Sequence, residues 1–252
     1  MSALEIRDVR RNFGGVKAVD GVSFSVPAGR ITGLIGPNGS GKSTLVNLVT
    51  GVLALSGGDI LLLGQSIASA TADVVARSGV ARTFQSIRLL AEASVLENVM
   101  IGFHRLETSS WLANLLGLPS SRAETRSVRE RARVLLTRFG MTEYAELPAG
   151  SLAYGHQRRV EMMRAVASAP KVLLLDEPVA GMNDVEAAEL GTIFRALADG
   201  GMAVLLIEHN TRFVAKLCHE VHVLDGGRLI AHGTPEQVMR DPAVVAAYMG
   251  AD

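Results

Sequence analysis

Arg30-Ile-Thr-Gly-Leu-Ile35 runs into Gly36-Pro-Asn-Gly-Ser-Gly-Lys42-Ser43-Thr44, and Leu45, Leu48 and Val49 follow at helical spacing. The apolar run predicts a short buried strand, the glycines a tight turn, and the spacing after them a helix. Strand, glycine loop, helix is the order in which a chain can cradle phosphate. Gly36, Pro37, Asn38, Gly39, Ser40, Gly41, Lys42 and Ser43 fit the P-loop pattern G-x-x-x-x-G-K-[ST]. Such a loop needs glycine because successive backbone N–H groups must turn inward and approach phosphate oxygens with no side chain between. Lys42 offers a point charge for β- and γ-phosphates, and Ser43 a hydroxyl for Mg²⁺, with Thr44 beside it.

Upstream, Leu4 and Ile6, Val16 to Val19, and Val22, Phe24 and Val26 alternate with polar residues, broken at Gly14-Gly15, Gly21 and Pro27-Ala28-Gly29. That pattern predicts antiparallel strands joined by short turns. Downstream, strands are expected at Asp59 to Leu63, Val80 to Phe84, Val172 to Leu175, Ala203 to Ile207 and Val221 to Leu224, with helical patterns between most of them. Alternation of this kind gives an α/β fold with a mostly parallel sheet covered by helices.

Between Gln85 and about Pro170 the strands stop, and the spacing of Val95, Leu96, Val99, Val134, Leu135 and Phe139 suits an inserted helical subdomain. Within it, Arg122, Arg126, Arg129, Arg131, Arg133 and Arg138 stand against Glu124 and Glu130, the composition of a solvated helix face. The apolar stretch Trp111 to Leu118 reads either as a core helix or as a partner surface. Thr234-Pro-Glu-Gln237 and Asp241-Pro242 signal two helix starts near the end.

The 252 residues, 48% hydrophobic and 20% charged, have the length and composition of a globular protein with a real core. Lys plus Arg equals Asp plus Glu at 25 each, so no global basic field exists to hold nucleic acid. A single cysteine, Cys218, excludes an internal disulfide framework and points to a reducing cytosol. Charges in the opening MSALEIRDVRR leave no room for the apolar core of a secretory leader, and no run approaches the roughly 18 apolar residues of a membrane span.

Three more groups are expected at strand ends, where a parallel sheet opens onto its ligand crevice. Val172 to Leu175 ends in Asp176 and Glu177. Asp176 can reach Mg²⁺ through its water shell, and Glu177 can take a proton from, or orient, a water attacking the γ-phosphate. His209, just past Ala203 to Ile207, can hydrogen-bond that phosphate. Gln85, after Val80 to Phe84, can touch the metal or the water.

The P-loop, Gln85, the stretch Ser151-Leu-Ala-Tyr-Gly-His-Gln-Arg-Arg159, Asp176-Glu177 and His209 occur in an order that resembles the nucleotide-binding subunits of ATP-binding cassette (ABC) transporters, over almost the whole chain. The resemblance implies a P-loop NTPase of the ABC ATPase fold: a mostly parallel core sheet, an N-terminal antiparallel β-subdomain and an inserted α-helical subdomain. It divides one ABC ATPase domain, 1–252, into a catalytic core with β-subdomain (1–85 and about 165–252) and a helical subdomain (about 86–164). Ser151 to Arg159 stands where the family carries its L-S-G-G-Q signature, whose helix faces the γ-phosphate bound by the opposite subunit. Ala153, Tyr154, Gly155 and His156 are the residues this places at the nucleotide. Ala153 departs from the usual serine and Tyr154 from the first of two glycines, so Gly155, the helix end and His156 must do more of the clamping.

Phe13, before Gly14-Gly15, matches the family's adenine-stacking aromatic, with Val16 beside it; a core phenylalanine in a hairpin is the alternative. The L-A-Y-G form, Arg82-Thr-Phe-Gln85 and Ala180-Gly-Met-Asn183 resemble the subgroup that serves branched-chain and related hydrophobic amino-acid importers. Asn183 stands where many cassettes have aspartate. The implied activity is ATP hydrolysis with ATP and Mg²⁺, coupled to transport. The implied partners are a second cassette, either a related chain or a second copy, two permease subunits and indirectly a substrate-binding protein, with no nucleic acid. The implied location is peripheral, on the cytoplasmic face of the inner membrane. Rival readings are a soluble ABC ATPase without a permease, a catalytically silent dimerising module, a cassette of a urea or amide importer, and a P-loop small-molecule kinase, which leaves the signature stretch unexplained.

Overall fold

In the computed structural model, which describes residues 2–83, 87–106 and 119–249, strand β3 (Ile31–Ile35) lies inside a six-stranded sheet. Strands β8 (Ala203–Ile207) and β9 (Glu220–Asp225) flank it, both parallel to it. Beyond β8 the parallel set continues through β7 (Val172–Asp176) to β6 (Val80–Arg82), and β10 (Arg228–Gly233) closes the other edge antiparallel to β9. Every residue of β3, β7 and β8 is buried, as strands covered on both faces must be. Alternate residues serve two apolar clusters: Leu173, Leu175, Val204 and Leu206 face one, and Val172, Leu174, Leu205 and Ile207 the other.

The second cluster is shared with a four-stranded antiparallel sheet, ordered β2-β1-β4-β5, from β1 (Ser2–Phe13), β2 (Val16–Pro27), β4 (Gly57–Leu62) and β5 (Gln65–Ser66). Leu4, Ile6, Val22, Val26 and Ile60 of that sheet meet Leu45, Val46 and Val49 of helix α1 (Lys42–Val49). The first cluster takes the buried sides of α3 (Val95–Ile101), α4 (Pro119–Arg138), α5 (Tyr154–Ala167), α6 (Asp184–Asp199) and α7 (Thr211–Leu217). Helix α2 (Ala72–Ser78) leads into β6, and α8 (Pro235–Met239) and α9 (Pro242–Met249) end the described chain. Among the described residues no helix is long and apolar enough to cross a membrane.

The expected fold class is the one observed. β5, β10 and α2 had no clear sequence signal, because β5 has two residues, β10 is a half-exposed edge, and α2 buries only Val75. The arginine-rich stretch is a solvated helix face: α4 buries Val128, Ala132 and Leu136, while Arg126, Arg129 and Arg133 point to water. Arg131 lies over the Phe103 ring at 4.8 Å. Thr234 caps α8 by accepting from Gln237 N–H, and Gln237 returns the bond, as the sequence predicted. Gln85 and Trp111 to Leu118 lie outside the described residues.

Candidate functional site

The loop after β3 can be built only from glycine at two points. Gly36 (φ +151°) and Gly41 (φ +105°) stand where an added Cβ would lie 2.0 Å from the Leu224 carbonyl oxygen and 2.4 Å from that of Ala18. Gly41 begins α1 with no side-chain cap and no acid in the first turn, which leaves the helix amides available to an anion. Lys42 Nζ donates to the carbonyls of Gly36 (2.9 Å) and Pro37 (2.8 Å) and to Ser40 Oγ (3.3 Å), so the lysine braces its own loop. Burial pushes the Lys42 ammonium down from its usual pKa, and the facing Glu177 and Asp176 carboxylates oppose that shift. A cavity of about 230 Å³ is lined by Ala18, residues 38–44 and Glu177.

Two polar strand ends close over this loop. Asp176 is buried, its Oδ2 2.8 Å from Arg82 Nη2, while Arg82 Nη1 donates to Asn47 Oδ1 at 2.6 Å. Glu177 has φ +48°, a left-handed conformation that costs a non-glycine residue on the order of 1 kcal/mol and persists only where surroundings enforce it. They do so from two sides. Glu177 N–H donates to the Ile207 carbonyl (2.9 Å), and Arg158 Nη2, from α5, donates to the carbonyls of Asp176 (3.2 Å) and Glu177 (3.1 Å). Arg158 is itself ion-paired with Glu161 at 2.7 Å, both buried. The Glu177 side chain points its Oε1 to within 3.8 Å of His209 Nδ1, whose side chain is exposed.

Phe13 and Val16 face each other in register beside the Gly14-Gly15 turn that closes the β1–β2 hairpin. Both are exposed, which removes the reading of Phe13 as a core residue. The Arg11 guanidinium covers the Phe13 ring at 4.6 Å and is anchored by a bond to the Ala54 carbonyl (2.9 Å). The hairpin is stitched to the P-loop through the β9–β10 turn: Gly227 N–H donates to Ser40 O (3.0 Å), and Asp20 N–H donates to Gly227 O (2.8 Å). Arg228 adds two bonds to Asp20 Oδ2, at 2.6 and 3.0 Å.

The signature stretch lines no part of the P-loop cavity of its own chain. Ala153 is the N-cap of α5 and contributes no side-chain bond, so no side chain caps that helix end. Tyr154 is half exposed and its ring edge lies 3.5 Å from where a Gly181 Cβ would stand. His156 packs on the Tyr144 ring, centroids 4.4 Å apart. Asn183 is the N-cap of α6: its Oδ1 accepts from Val185 and Glu186 N–H, both at 3.0 Å, and Glu186 returns a bond to Asn183 N–H. Asparagine caps a helix as well as aspartate does, which accounts for its place here.

Asp176, Glu177, His209 and residues 36–44 are therefore brought together, and Arg82, Arg158 and Glu161 are added to them. Two of these, Arg158 and Glu161, had a faint sequence signal: an Arg and a Glu three residues apart on an otherwise apolar helix face need each other if buried.

A family model described as ABC transporter matches residues 19–180 of this chain. The chain belongs to the ABC transporter family. A second model, described as branched-chain amino acid ATP-binding cassette transporter, matches residues 228–252 of the cassette. The cassette is 39% identical over 248 residues to the high-affinity branched-chain amino acid transport ATP-binding protein BraF of Pseudomonas aeruginosa, covering 98% of this chain and 97% of that one. It is 32% identical to the lipopolysaccharide export system ATP-binding protein LptB of Escherichia coli over 252 residues, 100% of this chain and 99% of LptB. The crystal structure of the ADP conformation of MJ1267, an ATP-binding cassette of an ABC transporter, superposes with a TM-score of 0.86 at 34% identity, covering 99% of each chain. The protein is an ATP-binding, ATP-hydrolysing subunit of an ABC transporter, with the ABC ATPase fold.

Proposed function

We propose that this cassette powers the uptake of branched-chain or related hydrophobic amino acids. The observation that carries the reading is the match of residues 228–252 to the branched-chain cassette model. The higher identity to BraF than to LptB supports import over export.

The site supports the following mechanism. ATP phosphates enter the loop of residues 36–44, and Lys42 exchanges its bonds to the Gly36 and Pro37 carbonyls for phosphate oxygens. The base stacks on the face of Phe13 that Arg11 leaves open, with Val16 at its side. Glu177 orients the attacking water and accepts its proton, while His209 bonds the γ-phosphate and keeps Glu177 aligned. The donor set fits Mg²⁺: Ser43 would give it a hydroxyl and Asp176 a carboxylate, both hard oxygen ligands. When bound, Mg²⁺ neutralises charge developing on the phosphates. Gln85 is assigned to the same metal and water.

Ala153, Tyr154, Gly155 and His156 serve the nucleotide of a second cassette, so that two sites form at one seam. The end of α5, with its uncapped amides, supplies the anion-binding edge. Arg158 ties that helix to the turn bearing Glu177, so closure at the seam is felt at the catalytic carboxylate. Residues 1–85 and about 165–252 act as core and about 86–164 as the helical subdomain. Between them an apolar cavity of about 290 Å³, lined by Thr50, Val52, Val75, Ala76 and Arg105 among others, offers a seat for a permease loop at the cytoplasmic membrane face.

The test is copurification with permease subunits from the native membrane, followed by ATPase stimulation across binding proteins loaded with leucine, isoleucine, valine, urea or amides. Stimulation by urea-loaded protein alone refutes the amino-acid assignment. The variant Glu177→Gln binds ATP, loses at least 99% of its turnover on the scale of a removed general base, and accumulates as a closed dimer; wild-type turnover refutes the catalytic assignment.

A further inference from the structure

Glu208, the residue before His209, has no part in the chemistry above, yet its carboxylate is buried to 1% exposure at the end of β8. It accepts from two separate turns. Oε1 takes the N–H of Val179 (3.3 Å), two residues beyond Glu177, and Oε2 takes the N–H groups of His209 (3.2 Å) and Asn210 (3.4 Å). The same Oε2 lies 3.9 Å from His209 Nδ1. Burial pushes the Glu208 carboxyl up from its usual range, and the three amides and His209 pull it back. An ionisable group is costly in such a place unless its bonds are needed.

We propose that Glu208 is a positioning residue for hydrolysis, tying the turn that carries Glu177 to the turn that carries His209 and so fixing their approach. The inference rests on the ATPase reading of Glu177 and His209. Glu177 stands in a left-handed conformation that its own sequence does not favour, so its carboxylate is placed only as well as its surroundings hold it. Arg158 holds the carbonyls of that turn, and Glu208 holds the amide side two residues on. A glutamine has the same shape but presents one acceptor and one donor, so it cannot serve Val179 on one side and His209 with Asn210 on the other.

The experiment uses the full chain, with Glu208→Gln and Glu208→Met beside Glu177→Gln. Bound ATP is measured by equilibrium dialysis and turnover by phosphate release, expressed per ATP-binding site. The expected result is a kcat per site lower by about tenfold or more in both Glu208 variants, with Kd and KM for ATP within about twofold of wild type, since small misplacement of a reacting group costs rate. Wild-type kcat per site in whichever variant folds, even with a lowered melting temperature, overturns the proposal and leaves Glu208 a structural residue. Wild-type turnover in Glu177→Gln instead sinks the hydrolysis reading itself, so the two failures are told apart.

Discussion

Replacing Arg158 with methionine is the sharpest available perturbation, because this buried side chain joins three things at once. It pairs with Glu161 at 2.7 Å and donates to the carbonyls of Asp176 and Glu177 at 3.2 and 3.1 Å. Breaking a buried ion pair by removing one partner costs about 3–5 kcal/mol, because the remaining charge stays out of water. The bonds to the two carbonyls fall within the same network and do not add in full. An overall loss of about 4 kcal/mol is expected, a large share of a domain stability of roughly 5–15 kcal/mol. At about 2–4 °C per kcal/mol for a chain of this size, the melting temperature should fall by roughly 8–16 °C. Calorimetry of Arg158→Met, Glu161→Gln and the double variant checks this. Removing both charges should cost less than the sum of the single changes, since neither is then left without the other. A single variant within about 1 kcal/mol of wild type, or a double variant equal to the sum, refutes the reasoning.

Ala153→Ser supplies the missing N-cap oxygen of α5 and should stabilise the fold by about 1 kcal/mol, with ATPase activity equal or higher; a severe activity loss would mean that a serine hydroxyl does not fit the clamp. His222 is buried between Phe24 and His232, with Glu220 3.7 Å away, and burial lowers its pKa from 6.5 to about 4. Its folded state resists protonation, so stability present above pH 6.5 is lost as pH falls toward 4, by roughly 3 kcal/mol at about 1.4 kcal/mol per pKa unit. In urea titrations across that window His222→Phe should lose less stability than wild type, and parallel curves would refute the assignment. Phe13→Ala should raise KM for ATP by about tenfold with kcat nearly unchanged, on the scale of 1–2 kcal/mol per stacked ring, and an unaltered KM would remove Phe13 from the base site.

The parts legible in the sequence are those whose signals are local. Glycines at 36 and 41, the lysine after them and an apolar run ending in Asp176 and Glu177 each carry their meaning within ten residues. Arg82 does not: its partner Asp176 is 94 residues away, and nothing near Arg82 announces it. The same holds for the Gly227 bridge between Ser40 and Asp20. Where sequence comparison raised a difficulty, the structure often supplies a local reason, as with Asn183, which departs from aspartate yet caps α6 with two bonds. The contact of His156 with Tyr144 is likewise one that no spacing rule reports.

The position of β3 also bears on how the protein is made. Ile31 pairs with Val204 and Thr32 with Glu220, so this early strand has no sheet neighbours until the ribosome has completed most of the chain. Long-range parallel pairing is slow to form, and an apolar strand waiting for it is open to aggregation. The nascent amino-terminal half must therefore stay soluble, by its own hairpin or in a chaperone's keeping, until translation delivers the strands that enclose it.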